Sequence, residues 1–187
     1  MRVIETALPD VVILAPKVFG DQRGFFLETY HEERYREAGV PARFVQDNHS
    51  RSRRGVLRGL HYQLQRPQGK LVWVIRGQVF DIAVDIRRGS PTFGRWVSCV
   101  LDDQNHHQLY IPPGFAHGFC VLSAEADFMY KCTDYYHLQS EQGIAWNDPD
   151  LSIDWPGLEV ILSDKDRRYP RLAEQPPEKL PVYGDSR

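Results

Sequence analysis

Short apolar runs separated by glycine and proline recur along most of the sequence, and they restrict the fold more than any other feature. In Val79–Ile86, the apolar residues Phe80, Ile82, Val84 and Ile86 occupy every second position. A period of two places neighbouring side chains on opposite faces of a strand, so the two faces meet different environments. Further strand-like runs are Val11–Leu14, Phe25–Tyr30, Leu71–Ile75, Trp96–Leu101, Gln108–Ile111, Gly118–Leu122 and Asp127–Thr133. Strands at this spacing predict an all-β sandwich or barrel, jelly rolls included.

The chain carries few helical patterns. Residues His31–Ala38 are rich in polar side chains and are followed by Gly39, which predicts a short surface helix. From about residue 147 onwards proline repeatedly interrupts the sequence, at Pro149, Pro156, Pro170, Pro176, Pro177 and Pro181. We expect this stretch to form an irregular or short-helix cap on the barrel, so that residues 1–187 make a single domain.

Length and composition exclude several classes of protein. A chain of 187 residues fits one domain, and a hydrophobic share of 42% is ample for a buried core, which excludes a disordered chain. No apolar run approaches the ~18 residues that a membrane helix needs, and the N-terminus lacks the features of a signal peptide. We therefore expect a cytoplasmic protein without a membrane partner. The net charge of −2 argues against nucleic acid as a partner.

The three cysteines, Cys99, Cys120 and Cys132, form no C-x-x-C pair. Their odd number and wide spacing argue against a zinc knuckle or a disulfide framework. We expect them to be reduced, small apolar side chains within strands.

Four arginines fall within eight positions of one segment: Arg51, Arg53, Arg54 and Arg58. Such a cluster is compatible with a nucleic-acid patch, a solvated strand face or an anion pocket. The slightly acidic chain and the adjoining strand pattern argue against the first. Arg58 lies on the apolar run Val56–Leu60, where a guanidinium with two parallel donors favours an anionic ligand such as a phosphate.

His61 follows Arg58 in the same run, and a lone histidine in a strand is often a hydrogen-bonded core residue. The neighbouring cations Arg58 and Lys70 favour a functional role instead. Strand parity places Arg58 and His61 on opposite faces, because they are three positions apart. If both side chains reach one pocket, Gly59 must mark a β-bulge that resets the alternation.

The segment Ile111–Phe119 contains a Pro-x-Gly-x-x-His pattern that ends at His117 and resembles the second half of the cupin signature. Cupins are jelly-roll proteins whose barrels often hold a metal. Their usual first half supplies His-x-His and a carboxylate, whereas this chain has His61-Tyr62-Gln63 and then Lys70. A cation does not coordinate a divalent metal, and one imidazole does not replace three ligands, so we expect a metal-free lumen.

An ordered set of motifs from about residue 3 to 170 resembles the dTDP-4-dehydrorhamnose 3,5-epimerase family. The matching segments are Asp21–Glu28, Leu57–Gln63, Gln68–Val72, Val79–Arg87, Ser90–Gly94, Ile111–Phe119, Tyr130–Tyr136 and Trp146–Pro149. The resemblance implies a cupin-like jelly-roll barrel with a few short peripheral helices. It also implies inversion of C3 and C5 of dTDP-4-dehydro-6-deoxy-D-glucose, a step towards dTDP-L-rhamnose, without a redox cofactor or a metal.

The same resemblance assigns roles to individual residues. His61 is the base that removes each proton, and Asp166 orients its imidazole, although Asp164 could take that place. Tyr130 is the acid on the opposite face of the sugar. Lys70 stabilises the enolate that forms at the C4 oxygen.

Substrate binding is assigned in the same way. Arg23 and Arg58 suit the diphosphate, Gln46 and Asn48 suit neutral edges of the base or sugar, and Tyr136 matches a tyrosine that stacks under thymine. The remaining binding positions are Glu28, Lys70, His117, Glu141 and Lys165. The family forms homodimers that exchange strands, which would bring Arg23 and Glu28 from the partner subunit.

Alternative functions remain open from the sequence alone. A mono-epimerase of antibiotic-sugar pathways, inverting C3 or C5 only, would keep the same base, and the presence of Tyr130 favours the double epimerase over it. A metal-dependent cupin oxygenase or isomerase is disfavoured by the missing His-x-His motif. A non-catalytic nucleotide-sugar binding module would need no proton-transfer groups.

Overall fold

A computed structural model describes residues 1–40 and 43–185, whereas Pro41, Ala42, Ser186 and Arg187 lie outside the described residues. The described residues form the following strands: β1 (Arg2–Glu5), β2 (Val12–Ala15), β3 (Val18–Asp21), β4 (Gly24–Leu27), β5 (Gln46–Arg53), β6 (Leu57–Gln63), β7 (Lys70–Arg76), β8 (Gln78–Asp85), β9 (Trp96–Asp102), β10 (Gln108–Ile111), β11 (Phe115–Val121), β12 (Glu125–Cys132) and β13 (Glu141–Gly143). The helices are α1 (Glu32–Glu37) and four 3-10 helices, at Leu138–Ser140, Asp166–Arg168, Leu172–Glu174 and Pro177–Lys179. None of these helices is long and apolar enough to cross a membrane.

Two antiparallel sheets make up the body of the protein. One contains six strands in the order β1-β2-β10-β7-β12-β5, and the other contains five in the order β13-β6-β11-β8-β9. Strands β3 and β4 form a separate hairpin. Most neighbours within a sheet are not consecutive in sequence, which is typical of jelly rolls. The predicted all-β jelly-roll fold with few short helices is confirmed.

The main core lies between the two sheets. Val72 of β7 and Phe128 of β12 meet Ala83 of β8 and Phe119 of β11 in one cluster of buried side chains. A second cluster covers the outer face of the five-stranded sheet. The apolar side chains of residues 79–86 point alternately into these two clusters, so both faces of the strand are buried.

The outer faces of the sheets are covered by different parts of the chain. Helix α1 packs Tyr35 onto Leu71 and Trp73 of the six-stranded sheet, which confirms the short helix predicted at 31–38. The proline-rich C-terminal segment packs Leu172 and Leu180 onto the five-stranded sheet.

Strand β5 is absent from the sequence-based prediction. Its residues, Gln46–Arg53, are all polar or charged, so no apolar alternation marks it. It is a strand because its whole length pairs with β12 at the edge of the six-stranded sheet. Strands β1, β3 and β13 are also absent from the prediction, because three- or four-residue strands carry little periodicity. The run predicted at Phe25–Tyr30 ends earlier, at Leu27.

The predicted bulge at Gly59 is present. On β6 and β11, His61 pairs with His117 and Arg58 pairs with Phe119, so three steps on one strand match two on the other. Gly59 has a φ of +129°, and a Cβ at this position would lie 2.5 Å from the Cα of Gly118. Only glycine fits this close approach, and the bulge turns Arg58 and His61 towards the same side.

Replacing Gly59 by alanine is expected to destabilise the fold by about 2–4 kcal/mol, because the new methyl group meets backbone in a conformation that L-residues avoid. Urea unfolding of the two proteins measures this difference. Gly157 has an ordinary φ and open space at its Cβ position, so Gly157→Ala is the matched control. Equal stability of Gly59→Ala and the control would contradict the packing described above.

Candidate active site

Two adjoining cavities, of about 280 and 170 Å³, open between the sheets. His61, Lys70 and Tyr130 line both of them. The larger cavity is also lined by Gln46, Asn48, Tyr62, Gln63, Gln68, Cys132, Tyr136 and Glu141. The smaller one is also lined by Ser50, Arg58, His117, Phe119 and Phe128. Most of the predicted site residues are therefore brought to one continuous space.

His61 is held by a carboxylate from the C-terminal segment. Its Nε2 lies 2.5 Å from Oδ1 of Asp166, whose other oxygen accepts a 2.7 Å hydrogen bond from Ser163. Asp166 is buried, whereas Asp164 is exposed, and of the two candidates it is Asp166 that contacts His61. Because Nε2 donates to Asp166, Nδ1 of the neutral ring is left with a free lone pair.

Electrostatics favour the neutral imidazole beside an ionised carboxylate. Burial lowers the pKa of His61, an effect that outweighs the opposing influence of Asp166. Burial alone would raise the pKa of Asp166, but its hydrogen bonds from His61 and Ser163 lower it below the ordinary value. At neutral pH His61 is thus a base ready to accept a proton.

Tyr130 and His61 enter the cavities from different sheets. Tyr130 stands on β12 of the six-stranded sheet, and His61 stands on β6 of the five-stranded sheet. Burial raises the pKa of Tyr130, so its phenol stays protonated. A proton acceptor and a proton donor therefore line the same space from opposite walls.

Lys70 is the first residue of β7 and lies half-buried beside His61 and Tyr130. Burial lowers the pKa of its ammonium group, while the neighbouring Cys132, Asp81 and Glu141 act in the opposite direction. A cation in such a poorly solvated place interacts strongly with any negative charge that develops nearby.

The smaller cavity holds a second histidine–carboxylate pair. Nε2 of His117 lies 3.0 Å from both oxygens of Asp81, which is fully buried. The guanidinium of Arg58 donates to Ser52 Oγ at 3.1 and 3.2 Å, and among the described residues its other N–H groups have no partner. An anion in this cavity would therefore meet a cation on one side and a fixed imidazole on the other.

A chain of polar side chains lies at the mouth of the larger cavity. Glu141 accepts hydrogen bonds from the Tyr136 hydroxyl at 2.9 Å and from Lys165 Nζ at 2.6 Å. The Gln46 side chain accepts a bond from the Tyr136 backbone N–H and donates one to Asn48. The Tyr136 ring is half exposed, which leaves it available for stacking.

Arg23 and Glu28 lie apart from both cavities within this chain. Arg23 pairs with Asp21 at the tip of the β3–β4 hairpin, and its side chain is 85% exposed. Glu28 pairs with Arg34 of helix α1. One chain by itself does not bring these two residues to the site.

Sequence reasoning missed several lining residues, among them Gln63, Gln68 and Cys132. Gln63 and Gln68 lie within segments that resemble the family. That resemblance is the sequence signal that could have identified them as site residues. Cys132 is free and buried, as expected, but it also faces the cavity. Over residues 1–40 and 43–185, no group of three potential metal ligands comes together.

Fold and site together define a cupin-type barrel whose cavity carries a proton acceptor and a proton donor. A sequence profile of the dTDP-4-dehydrorhamnose 3,5-epimerase family matches residues 5–174. The chain is 56% identical over 176 residues to the dTDP-4-dehydrorhamnose 3,5-epimerase of Pseudomonas aeruginosa, covering 93% of this chain and 97% of that protein. It belongs to the dTDP-4-dehydrorhamnose 3,5-epimerase family, whose members are isomerases.

Two further relatives bear on the reaction. A crystal structure of the dTDP-6-deoxy-D-glucose-3,5-epimerase of Legionella pneumophila in complex with dTDP-4-keto-L-rhamnose is 57% identical, with a TM-score of 0.95, covering 97% of this chain and 98% of that chain. The dTDP-4-dehydrorhamnose 3-epimerase of Streptomyces niveus is 42% identical over 176 residues, covering 93% of this chain and 85% of that protein. The family thus contains double and single epimerases.

Proposed function

We propose that this protein inverts C3 and C5 of dTDP-4-dehydro-6-deoxy-D-glucose and forms dTDP-4-dehydro-L-rhamnose. The observation that carries the proposal is the pairing of a carboxylate-bound neutral imidazole, His61, with the phenol of Tyr130 across one cavity. Both target carbons flank the C4 ketone, which acidifies their protons. One base and one acid on opposite faces are therefore sufficient for both inversions.

The geometry supports the following proton transfers. Nδ1 of His61 removes the proton from the carbon, the C–H electron pair moves into an enolate, and Asp166 stabilises the imidazolium that forms. The ammonium group of Lys70 stabilises the negative oxygen at C4. Tyr130 then donates its proton to the opposite face of the same carbon, which inverts it. Solvent reprotonates the tyrosine and deprotonates the histidine, so the residues return to their starting state.

The residues around the two cavities also suit the nucleotide part of the substrate. Arg58 and His117 suit the diphosphate end of the smaller cavity, and Gln46 and Asn48 suit neutral polar edges. The half-exposed ring of Tyr136 at the mouth suits stacking under thymine. Glu141 and Lys165, which pair beside that ring, complete the binding set.

We also infer a homodimer with a shared site. The β3–β4 hairpin exposes Phe19, Phe25 and Phe26, which are 54%, 62% and 70% exposed. A two-stranded hairpin with an uncovered apolar face is marginally stable by itself, so a second copy is its natural cover. The same contact would deliver Arg23 and Glu28 to the partner's site.

The dimer is tested by sedimentation equilibrium. The double variant Phe25→Asp/Phe26→Asp is expected to sediment as a monomer, while the wild type sediments as a dimer, because charges are not buried in an apolar contact. The exposed Ile75 lies on β7 and outside the hairpin, so Ile75→Asp is the control that should remain dimeric. A monomeric wild-type protein would refute the proposal.

We infer one domain, because β-bridges join Val56 to Ile161 and Arg88 to Val182 and thereby tie the C-terminal segment to the barrel. A cytoplasmic location stays a prediction, and cell fractionation would check it.

The reaction is tested in heavy water. NMR of dTDP-4-dehydro-6-deoxy-D-glucose incubated with the enzyme is expected to show deuterium at both C3 and C5 and signals of the L-rhamno product. Deuterium at one carbon alone would favour the single epimerase. This second candidate is considered because the Streptomyces relative is a 3-epimerase. No exchange at either carbon would refute both.

A further inference from the structure

A tyrosine outside the predicted site lies against the His61 ring. Tyr169 follows the 3-10 helix Asp166–Arg168, and its ring centroid is 5.7 Å from that of His61 at an interplanar angle of 66°. The ring is half-buried and is not among the residues that line the two cavities. Its hydroxyl makes no hydrogen bond within residues 1–40 and 43–185, so the ring itself makes the contact.

The position of this ring depends on a glycine in the adjoining strand. Gly143 of β13 is the register partner of His61 on β6. A Cβ at Gly143 would lie 2.4–2.5 Å from three ring carbons of Tyr169, far inside normal contact. The absence of a side chain at Gly143 therefore lets the tyrosine ring lie against the strand beside His61.

The backbone around Tyr169 is held to the same strand. The backbone N–H of Ala145 donates to the carbonyl of Pro170 at 2.8 Å. The buried side chain of Gln175 donates to the carbonyl of Gly143 at 2.7 Å. Both bonds hold the segment that carries Tyr169 against Gly143 and Ala145.

We propose that Tyr169, seated on Gly143, is a positioning residue that holds the His61 imidazole in its productive orientation. The hydrogen bond from Nε2 to Asp166 fixes one edge of the imidazole but allows the ring to pivot about that bond. The Tyr169 ring removes the space for the pivot and keeps water from that side of His61. This inference rests on the proposed role of His61 as the base. Misplacement of a reacting group by about 1 Å can cost about 100-fold in rate.

The first test is steady-state kinetics of Tyr169→Ala. We expect kcat to fall about 10- to 100-fold while KM for the dTDP-sugar changes less than about threefold, because binding groups stay in place. Tyr169→Phe should restore most of kcat, since it keeps the ring. Tyr183→Ala removes a ring that lies over Arg87 and is the matched control in the same C-terminal segment.

The pH profile separates positioning from a loss of folded protein. The charged groups around His61 are Asp166, Glu141, Lys70 and Lys165, and none is altered in Tyr169→Ala. Removing the ring admits water beside the imidazole, which relieves the burial that lowers its pKa. The acid limb of kcat/KM should therefore move to higher pH. A lower folded fraction would reduce the rate equally at every pH.

A double-mutant cycle tests the role of Gly143. Gly143→Ala alone should reproduce the loss seen for Tyr169→Ala, because its methyl group displaces the ring. In the Tyr169→Ala background the same change should cost less than about twofold, because the ring is already gone. Equal costs in the two backgrounds, or an unchanged kcat and pH profile in Tyr169→Ala, would overturn the proposal.

A measurement on the resting protein, which needs no turnover, tests this inference separately from the proposed function. Side-chain NMR of 15N-labelled histidine reports the pKa and tautomer of His61 in the resting protein. Tyr169→Ala and Gly143→Ala should raise that pKa, and Tyr169→Phe should not. If the wild type shows no exchange in heavy water but the NMR shift appears, the assigned reaction fails and the positioning contact stands. Unchanged His61 signals would reject the contact whatever the reaction.

Discussion

Replacing His61 by asparagine is expected to lower kcat by roughly 10²- to 10⁴-fold, the contribution of a well-placed general base. Asparagine can still hydrogen-bond to Asp166, but it has no basic nitrogen for a carbon-bound proton. Because the same base serves both carbons, deuterium exchange at C3 and at C5 should fall together. NMR in heavy water measures both, and calorimetry should show dTDP binding within about threefold of wild type.

His49 provides the control for this substitution. It forms a third histidine–carboxylate pair, with 2.9 Å between its Nε2 and Oδ1 of Asp127, but on the edge strand β5 of the six-stranded sheet. His49→Asn should therefore leave turnover unchanged. Exchange at C3 or C5 that survives in His61→Asn would mean that another group removes that proton. Loss of dTDP binding in parallel with turnover would instead make His61 a binding residue.

Replacing Tyr130 by phenylalanine is expected to separate exchange from inversion. Without the phenol, net formation of the L-rhamno product should fall by roughly 10²- to 10⁴-fold. His61 can still remove a proton and return a deuteron to the same face, so exchange without inversion should persist. NMR distinguishes the two outcomes, because retained substrate acquires deuterium while its configuration is unchanged.

Tyr110 is the matched control, since its ring is buried in the cluster under helix α1 and lines neither cavity. Tyr110→Phe should preserve inversion. Equal losses of exchange and inversion in Tyr130→Phe would contradict its role as the acid, because a missing acid does not prevent the first proton transfer.

Wild-type turnover decides between the double and the single epimerase. A double epimerase needs the base–acid pair at two carbons in turn, so the product of wild-type turnover must be inverted at both. The His61 and Tyr130 variants then assign proton removal to one wall of the barrel and proton donation to the other. His61 belongs to the five-stranded sheet and Tyr130 to the six-stranded sheet, and the sugar must lie between them.

Local sequence patterns determined the fold class and one local detail of the site. Strand periodicity requires only neighbouring residues, so the alternation in 79–86 could be recognised without knowing its partners. Parity likewise required a bulge at Gly59 if Arg58 and His61 share a pocket, and the register of β6 and β11 contains it. The polar strand β5 escaped this approach, because its pairing with β12 and not its composition makes it a strand.

Only the tertiary structure decided which groups meet. Asp166 lies 105 positions from His61, and nothing local distinguishes it from Asp164. The choice depends on how the C-terminal segment packs on β13, which also brings Tyr169 against the imidazole. Such contacts join residues far apart in sequence, and their geometry arises from packing of whole elements rather than from the residues around each one. The sequence therefore determined which chemical groups are present, and the packing of the C-terminal segment determined how they are oriented.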